Sequence, residues 1–241
     1  MSTNDLATFA MDAHGGLERW NKLNRVTAHL LNGGGLWALK GKDGVLKDVH
    51  VTVELRNEKV SHWPFINSNW RTSFQPNRMA IETNDGNVVE ELLKPRDSFK
   101  GHVLETKWNN LQLGYFAGCA MWTYFNTPFL FALPGVHTEE IGPWQENGET
   151  WRRLKVKFPR DIATHSTEQM FYFDQKGLLK RHDYDVEISG ASPGAHYASE
   201  LKQFSGIMVP TKRRVFVRQP DGRPDPTILT VSIDLNDITF S

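Results

Sequence analysis

The chain has 241 residues, and 28 Lys and Arg balance 28 Asp and Glu to a formal net charge of zero. That balance argues against a general nucleic-acid binder, which needs a cationic excess to displace phosphate counterions. The one cysteine, Cys119, permits no intramolecular disulfide and no zinc site built on paired thiolates. No stretch reads as a linker, so residues 1–241 are expected to form a single domain. Met1 to Leu6 carries neither a basic nor an apolar leader pattern, and no run approaches the roughly 20 apolar residues of a membrane span. The expected compartment is therefore the cytoplasm.

Asn4 to Leu23 reads as a helix that Ser2, Thr3 or Asn4 can cap, with Leu6, Phe9, Ala10, Ala13, Leu17 and Trp20 near helical spacing. Gly15-Gly16 interrupts it and predicts a break or kink. Val26, Ala28 and Leu30 then alternate with Thr27 and His29 as in a strand. Gly33-Gly34-Gly35 allows a sharp bend or a close backbone approach, and Leu36–Leu39 follows. Val49, Val51, Val53 and Leu55 alternate with His50, Thr52 and Glu54, the signature of a half-buried strand. Further strands are expected at Lys59–Phe65, Arg71–Phe74, Met79–Thr83 and Val88–Leu93, with Asn84-Asp85-Gly86-Asn87 as a hairpin turn. After a loop over Asp97–Thr106, the segment from Trp108 to Ala132 is nearly free of charge and shows no alternation. It predicts a second helix ending near Asn126, broken by Thr127-Pro128 and buried on nearly every side.

The remaining sequence returns to strands at Thr150–Phe158, Glu168–Asp174, Leu178–Ile188, His196–Phe204, Ile207–Val217 and Ile228–Leu235, closed by Ile238–Phe240. Short strands with regular turns make an antiparallel sheet that curls. The expected fold is mainly β with some α: an incomplete barrel enclosing two helices in its concavity.

The order of elements, with AHGGLERW in the first helix, FYFDQKGLLKRHDY and GIMVPTKRRVF in the later strands and VSIDLNDITF at the close, resembles the lipoprotein-carrier superfamily of LolA and LolB, in particular its cytoplasmic members. The resemblance implies a half-barrel around helices with a hydrophobic cavity, and in its best-known members the carriage of acyl chains or lipids. This sequence has no export signal and no lipobox cysteine, so the resemblance implies the cavity rather than a periplasmic shuttle.

Chemistry-bearing residues are sparse. In Leu178–Ile188, alternation puts His182, Tyr184, Val186 and Ile188 on one face and Arg181, Asp183, Asp185 and Glu187 on the other. The charged face must see water, so His182 and Tyr184 point to the apolar side if the register holds, and there they need hydrogen-bond partners. They are catalytic candidates, or simply satisfied core groups. His165, on a turn between strands, is a third candidate as a general base. His196 and Glu200 would join His182 if their strands pair, but no local metal motif supports a metal site. Cys119, in the apolar helix, is expected to be inert through burial. Gly33–Gly35 is no phosphate loop, and no cofactor is expected. Lys212-Arg213-Arg214 reads as solvated charge paired with acidic neighbours.

Tyr115, Met121, Trp122, Tyr124 and Phe125 offer more apolar surface than one buried stripe requires, with Trp37, Trp63 and Phe65 as candidates for an opposite wall. They are read either as core packing or as the lining of a ligand pocket. Three functions follow: binding of a hydrophobic or amphipathic small molecule, a cofactor-independent enzyme using His182, Tyr184 and His165, or an interaction protein with an apolar homodimer face.

Overall fold

A computed structural model of the chain describes residues 5–241. The predicted caps Ser2, Thr3 and Asn4 lie outside these residues. Asp5 caps helix α1 (Leu6–Ala13), its Oδ1 accepting from the Ala7 amide at 2.7 Å. The Gly15-Gly16 break is real: both glycines take positive φ, and a separate short helix, α2 (Leu17–Trp20), follows.

The described residues then form thirteen antiparallel strands in one open sheet. The N-terminal half holds β1 (Arg25–Gly33), β2 (Asp48–Glu54), β3 (Lys59–Trp63), β4 (Trp70–Gln75), β5 (Arg78–Thr83) and β6 (Val88–Leu93). The C-terminal half holds β7 (His137–Glu146), β8 (Glu149–Lys157), β9 (Glu168–Phe173), β10 (Leu179–Val186), β11 (Ser192–Phe204), β12 (Ile207–Arg218) and β13 (Pro224–Phe240). The halves join where β1 pairs with β13, which leaves β6 and β7 as free edges and the barrel incomplete. The β1–β13 neighbourhood also explains the glycine run. Gly34 has φ +102°, and a Cβ there would stand 2.4 Å from the Thr230 carbonyl oxygen.

Four departures from the sequence reading have local causes. Leu36–Leu39, which follows the glycines among the strand patterns and carries no helix signal of its own, is a helical turn, α3. Strand β7 was not expected, because Gly142-Pro143 interrupts it; it is an edge strand with a register shift between Ile141 and Trp144, where proline's missing N–H is tolerated. The two expected final strands are one, β13, with Asp237 at φ +49° absorbing the irregularity. The helices number more than two, since α1, α2 and α3 accompany α4 (Asn110–Asn126).

Helix α4 lies where its composition demands. Asn109 and Gln112 close a reciprocal capping box, at 2.8 and 3.0 Å, and every residue from Leu111 to Asn126 is buried. It fills the concavity over the N-terminal half, with Val51, Val53, Val60, Phe74, Met79 and Ile81 beneath it in one continuous core. Over the C-terminal half, α1 and a short turn at Phe129–Ala132 cover Leu154, Val156, Phe171 and Phe173. The helix is held unevenly. Gly114 and Gly118 face β4 and β5, where added Cβ atoms would fall 2.2 Å from Met79 Cε and 2.3 Å from Phe74 Cγ.

Gly118→Ala tests this close approach. The methyl group gains about 1 kcal/mol of helix propensity but must displace Phe74, and overpacking typically costs 1–3 kcal/mol. The expected outcome is a lower melting temperature, by about 2–4 °C per kcal/mol of net loss in a chain of this size. A raised melting temperature would mean the helix sits farther from the sheet.

Candidate functional site

The strongest concentration of buried chemistry lies on the concave face of β9–β12, under the C-terminal half of α4. Period-2 alternation turns His182 and Tyr184 of β10 inward, both buried. His196 of β11 stands directly across the ladder from His182, the two rings 5.7 Å apart. Arg213 of β12 is only 2% exposed. The loop between β8 and β9 brings in His165, whose carbonyl accepts from the Glu187 amide at 3.0 Å and whose ring stacks on Phe116 of α4 at 4.8 Å. Tyr124 of α4 comes down into the middle.

The three residues proposed from sequence for proton transfer thus meet in space, with Tyr124 linking two of them. Its hydroxyl lies 2.7 Å from the Tyr184 hydroxyl and 3.4 Å from His165 Nε2. His182 Nε2 is 2.5 Å from Gln169 Oε1, with Phe171 stacked on its ring at 4.1 Å. The Arg213 guanidinium sits 4.8 Å from the Tyr124 ring centre, donates to the Tyr124 carbonyl at 3.1 Å, and lies 3.4 Å from His196 Nε2. That carbonyl belongs to the last turn of α4. Its helical donor would be the amide of residue 128, and Pro128 has none, so Arg213 supplies the missing bond.

Burial decides the protonation states. It drives His165 down to about 3, assisted by the charge of Arg96, and holds His182 and His196 well below the usual imidazole range, with Arg213 adding to the effect on both. It pushes the Tyr124 phenol up to about 12 and holds Tyr184 well above the usual phenol range. Arg213 is lowered to about 10 by the same desolvation and remains the cluster's one charge at neutral pH.

Beside this cluster is a residual cavity of about 30 Å³, walled by Phe116, Ala117, Ala120, Met121 and Tyr124 from α4, Trp37 from α3, and Leu30, His62, Tyr184, Val231 and Ile233 from the sheet. Its α4 lining is centred about a quarter-turn round the helix from Gly114 and Gly118, with Met121 adjoining the glycine face. The helix is keyed tightly to β4–β5 and left slack where it faces β1, His62 of β3 and β13.

Of the predicted lining residues, Trp37, Met121 and Tyr124 face this cavity and the others do not. Trp122 donates from Nε1 to the Asn57 carbonyl at 3.1 Å, and Phe125 is packed in the core. Tyr115 lies against Phe74 and Phe99. Phe65 is fully buried core. Trp63 is on the convex face, stacked on His50, because β3 places Val60 and His62 inward instead. Glu200 is at the surface, 2.6 Å from Lys212, so the set His182, His196 and Glu200 is not assembled. Cys119 is buried, and burial pushes its thiol up.

The premise that the Arg181 face must see water is overturned. Arg181 and Asp183 are buried on the convex side, paired at 2.6 Å, with Glu146 at 2.9 Å and Trp144, Tyr172 and Tyr197 around the guanidinium. Paired charges can be enclosed there, while His182 and Tyr184 still face inward. Sequence reasoning missed Arg213 itself. The signal was available: Val209, Thr211, Arg213 and Val215 occupy one face of β12, and all are buried.

No family model and no curated protein matches this sequence. Among solved structures, the chain is similar to a DUF1329 family protein from Desulfovibrio piger, with a TM-score of 0.57 at 11% identity over 98% of this chain and 92% of that one. It is also similar to a LolA superfamily protein from Nitrosomonas europaea, with a TM-score of 0.53 at 10% identity over 98% and 92% of the respective chains. The open sheet wrapped round a buried helix is the LolA-like fold, as the order of sequence elements implies.

The buried imidazoles make stability acid-sensitive. His14 and His62 are each lowered to about 4 by burial, alongside His165, His182 and His196. Unfolding releases them to titrate near 6.5, so below that pH the unfolded chain binds more protons and stability falls as pH drops toward 4. Each contributes up to about 1.4 kcal/mol per pH unit. Glu58, raised to about 8 by burial, acts in the opposite sense between 4.5 and 8 and offsets one histidine. Urea unfolding between pH 6 and 4.5 should show a slope above about 3 kcal/mol per unit; a flat profile would mean the imidazoles are solvated.

Proposed function

We propose that the chain binds a hydrophobic or amphipathic small molecule between the slack side of α4 and the β1–β13 seam of the sheet. The observation that carries this reading is the asymmetric seating of α4, tight through Gly114 and Gly118 and loose where Ala117, Ala120 and Met121 border the cavity. At about 30 Å³ the cavity has room for a water or two, whereas ligand pockets usually offer about 300–1,000 Å³. Uptake therefore displaces side chains, and Met121, unbranched and adaptable, is suited to yield. The LolA-like fold is consistent with such a concavity.

Proton-transfer catalysis by His182, Tyr184 and His165 is the weaker reading. A useful acid–base pair has pKa values drawn toward the working pH. Here burial drives the imidazoles down and the phenols up, so neither exchanges protons readily near neutrality.

Titration with a fluorescent hydrophobic probe such as N-phenyl-1-naphthylamine should reveal a saturable single site. Ala120→Leu fills the slack and should weaken probe affinity at least tenfold while the variant still unfolds cooperatively. Equal affinity for the two proteins would place the probe elsewhere and remove the support for this site.

A further inference from the structure

Three consecutive cations on β12 have different fates. Lys212 meets Glu200 at 2.6 Å and Arg214 meets Asp234 at 2.7 Å, both at the surface. Arg213, between them and buried, has no carboxylate within 4.0 Å among the described residues, and its Nε has no partner at all. Buried charges are ordinarily paired. The groups around it compound the imbalance. His196 Nδ1 and His165 Nδ1 are likewise buried and unpartnered. Their other nitrogens are next to Arg213 Nη1 and the Tyr124 hydroxyl, both able to donate to them, which leaves the unpartnered nitrogens to carry protons. The region is rich in donors and short of acceptors.

We propose that Arg213, with His196 beside it, anchors the anionic head group of an amphipathic ligand whose apolar part occupies the cavity bordering Tyr124. The guanidinium Nε edge is free to form charge-assisted hydrogen bonds while Nη2 keeps its bond to the Tyr124 carbonyl. Tyr124 connects the two regions, since its ring covers the guanidinium and its side chain walls the cavity. A carboxylate and a phosphate monoester share the required chemistry. The assignment rests on the binding function proposed above and fixes the chemical class of the ligand.

Competition of lauric acid, dodecyl phosphate and methyl laurate against the bound probe tests it on the unmodified protein. At least one of the two anions should displace the probe at a concentration tenfold or more below the ester, and which of them does so identifies the head group. Arg213→Met should bring that anion's affinity down to the ester's, with the melting temperature recorded to confirm folding. If acids and ester compete equally, the anchor is wrong while hydrophobic binding stands. If none competes, the ligand reading of the concavity fails and the anchor with it.

Discussion

A helix without one charged side chain cannot sit on a protein surface. Helix α4, seventeen residues from Asn110 to Asn126, is such a helix, and most of the architecture follows from the need to bury it on all sides. A flat sheet would cover one face. Thirteen strands curling round it cover most of the circumference, and α1 with the Phe129–Ala132 turn completes the cover over the C-terminal half. Strand alternation then follows, with Val49, Val51 and Val53 pointing inward and His50, Thr52 and Glu54 outward. The helix is apolar all round but not uniform: Gly114 and Gly118 dock closely on the sheet, while Ala117 and Ala120 border a gap.

Enclosure also sets the electrostatics of the interior. Imidazoles and phenols tolerate a dry environment by staying neutral. A guanidinium cannot do so at physiological pH, so Arg213 stays charged and adds to the depression that burial already imposes on the histidines near it. The convex-side Arg181 shows the alternative. It is equally buried but held by Asp183 and Glu146 and boxed by aromatic rings, and so is electrostatically complete. Comparing the two arginines within one sheet separates a structural cation from one with unused binding capacity.

Much of this was legible in the sequence because it depends on short-range periodicity. The span of α4, the break at Gly15-Gly16 and the inward direction of His182 and Tyr184 came from spacing or from local chemistry, whereas the approach of His165 to them is set by the β8–β9 loop and was not readable from spacing. What escaped depended on longer-range context. Trp63 and Phe65 look equivalent by alternation, yet β3 ends at Trp63 before Pro64, so the period does not extend across them. Strand β7 is held in place by β8 and tolerates Gly142-Pro143 only because it is an edge. The Lys212–Arg214 run is different: read as solvated charge, it nevertheless places its middle member by alternation on the same face as Val209, Thr211 and Val215, and only the enclosure of β12 between β11 and β13 makes that face fully interior.

The ladder between β3 and β4 has a mechanical consequence. These strands meet in register at Val60 and Phe74, and at His62 the amide donates to the Thr72 hydroxyl at 2.7 Å rather than to backbone. A sheet thinned to so few rungs behaves as two plates joined along a seam. The smaller plate, β4–β6, is the one to which the glycine face of α4 is keyed. Amide exchange in this region should be faster than in the continuous β10–β13 ladder, because local opening starts where backbone pairing is sparsest. Swelling of the interior would then be accommodated by yielding along that line, with the pairing of the larger plate left intact.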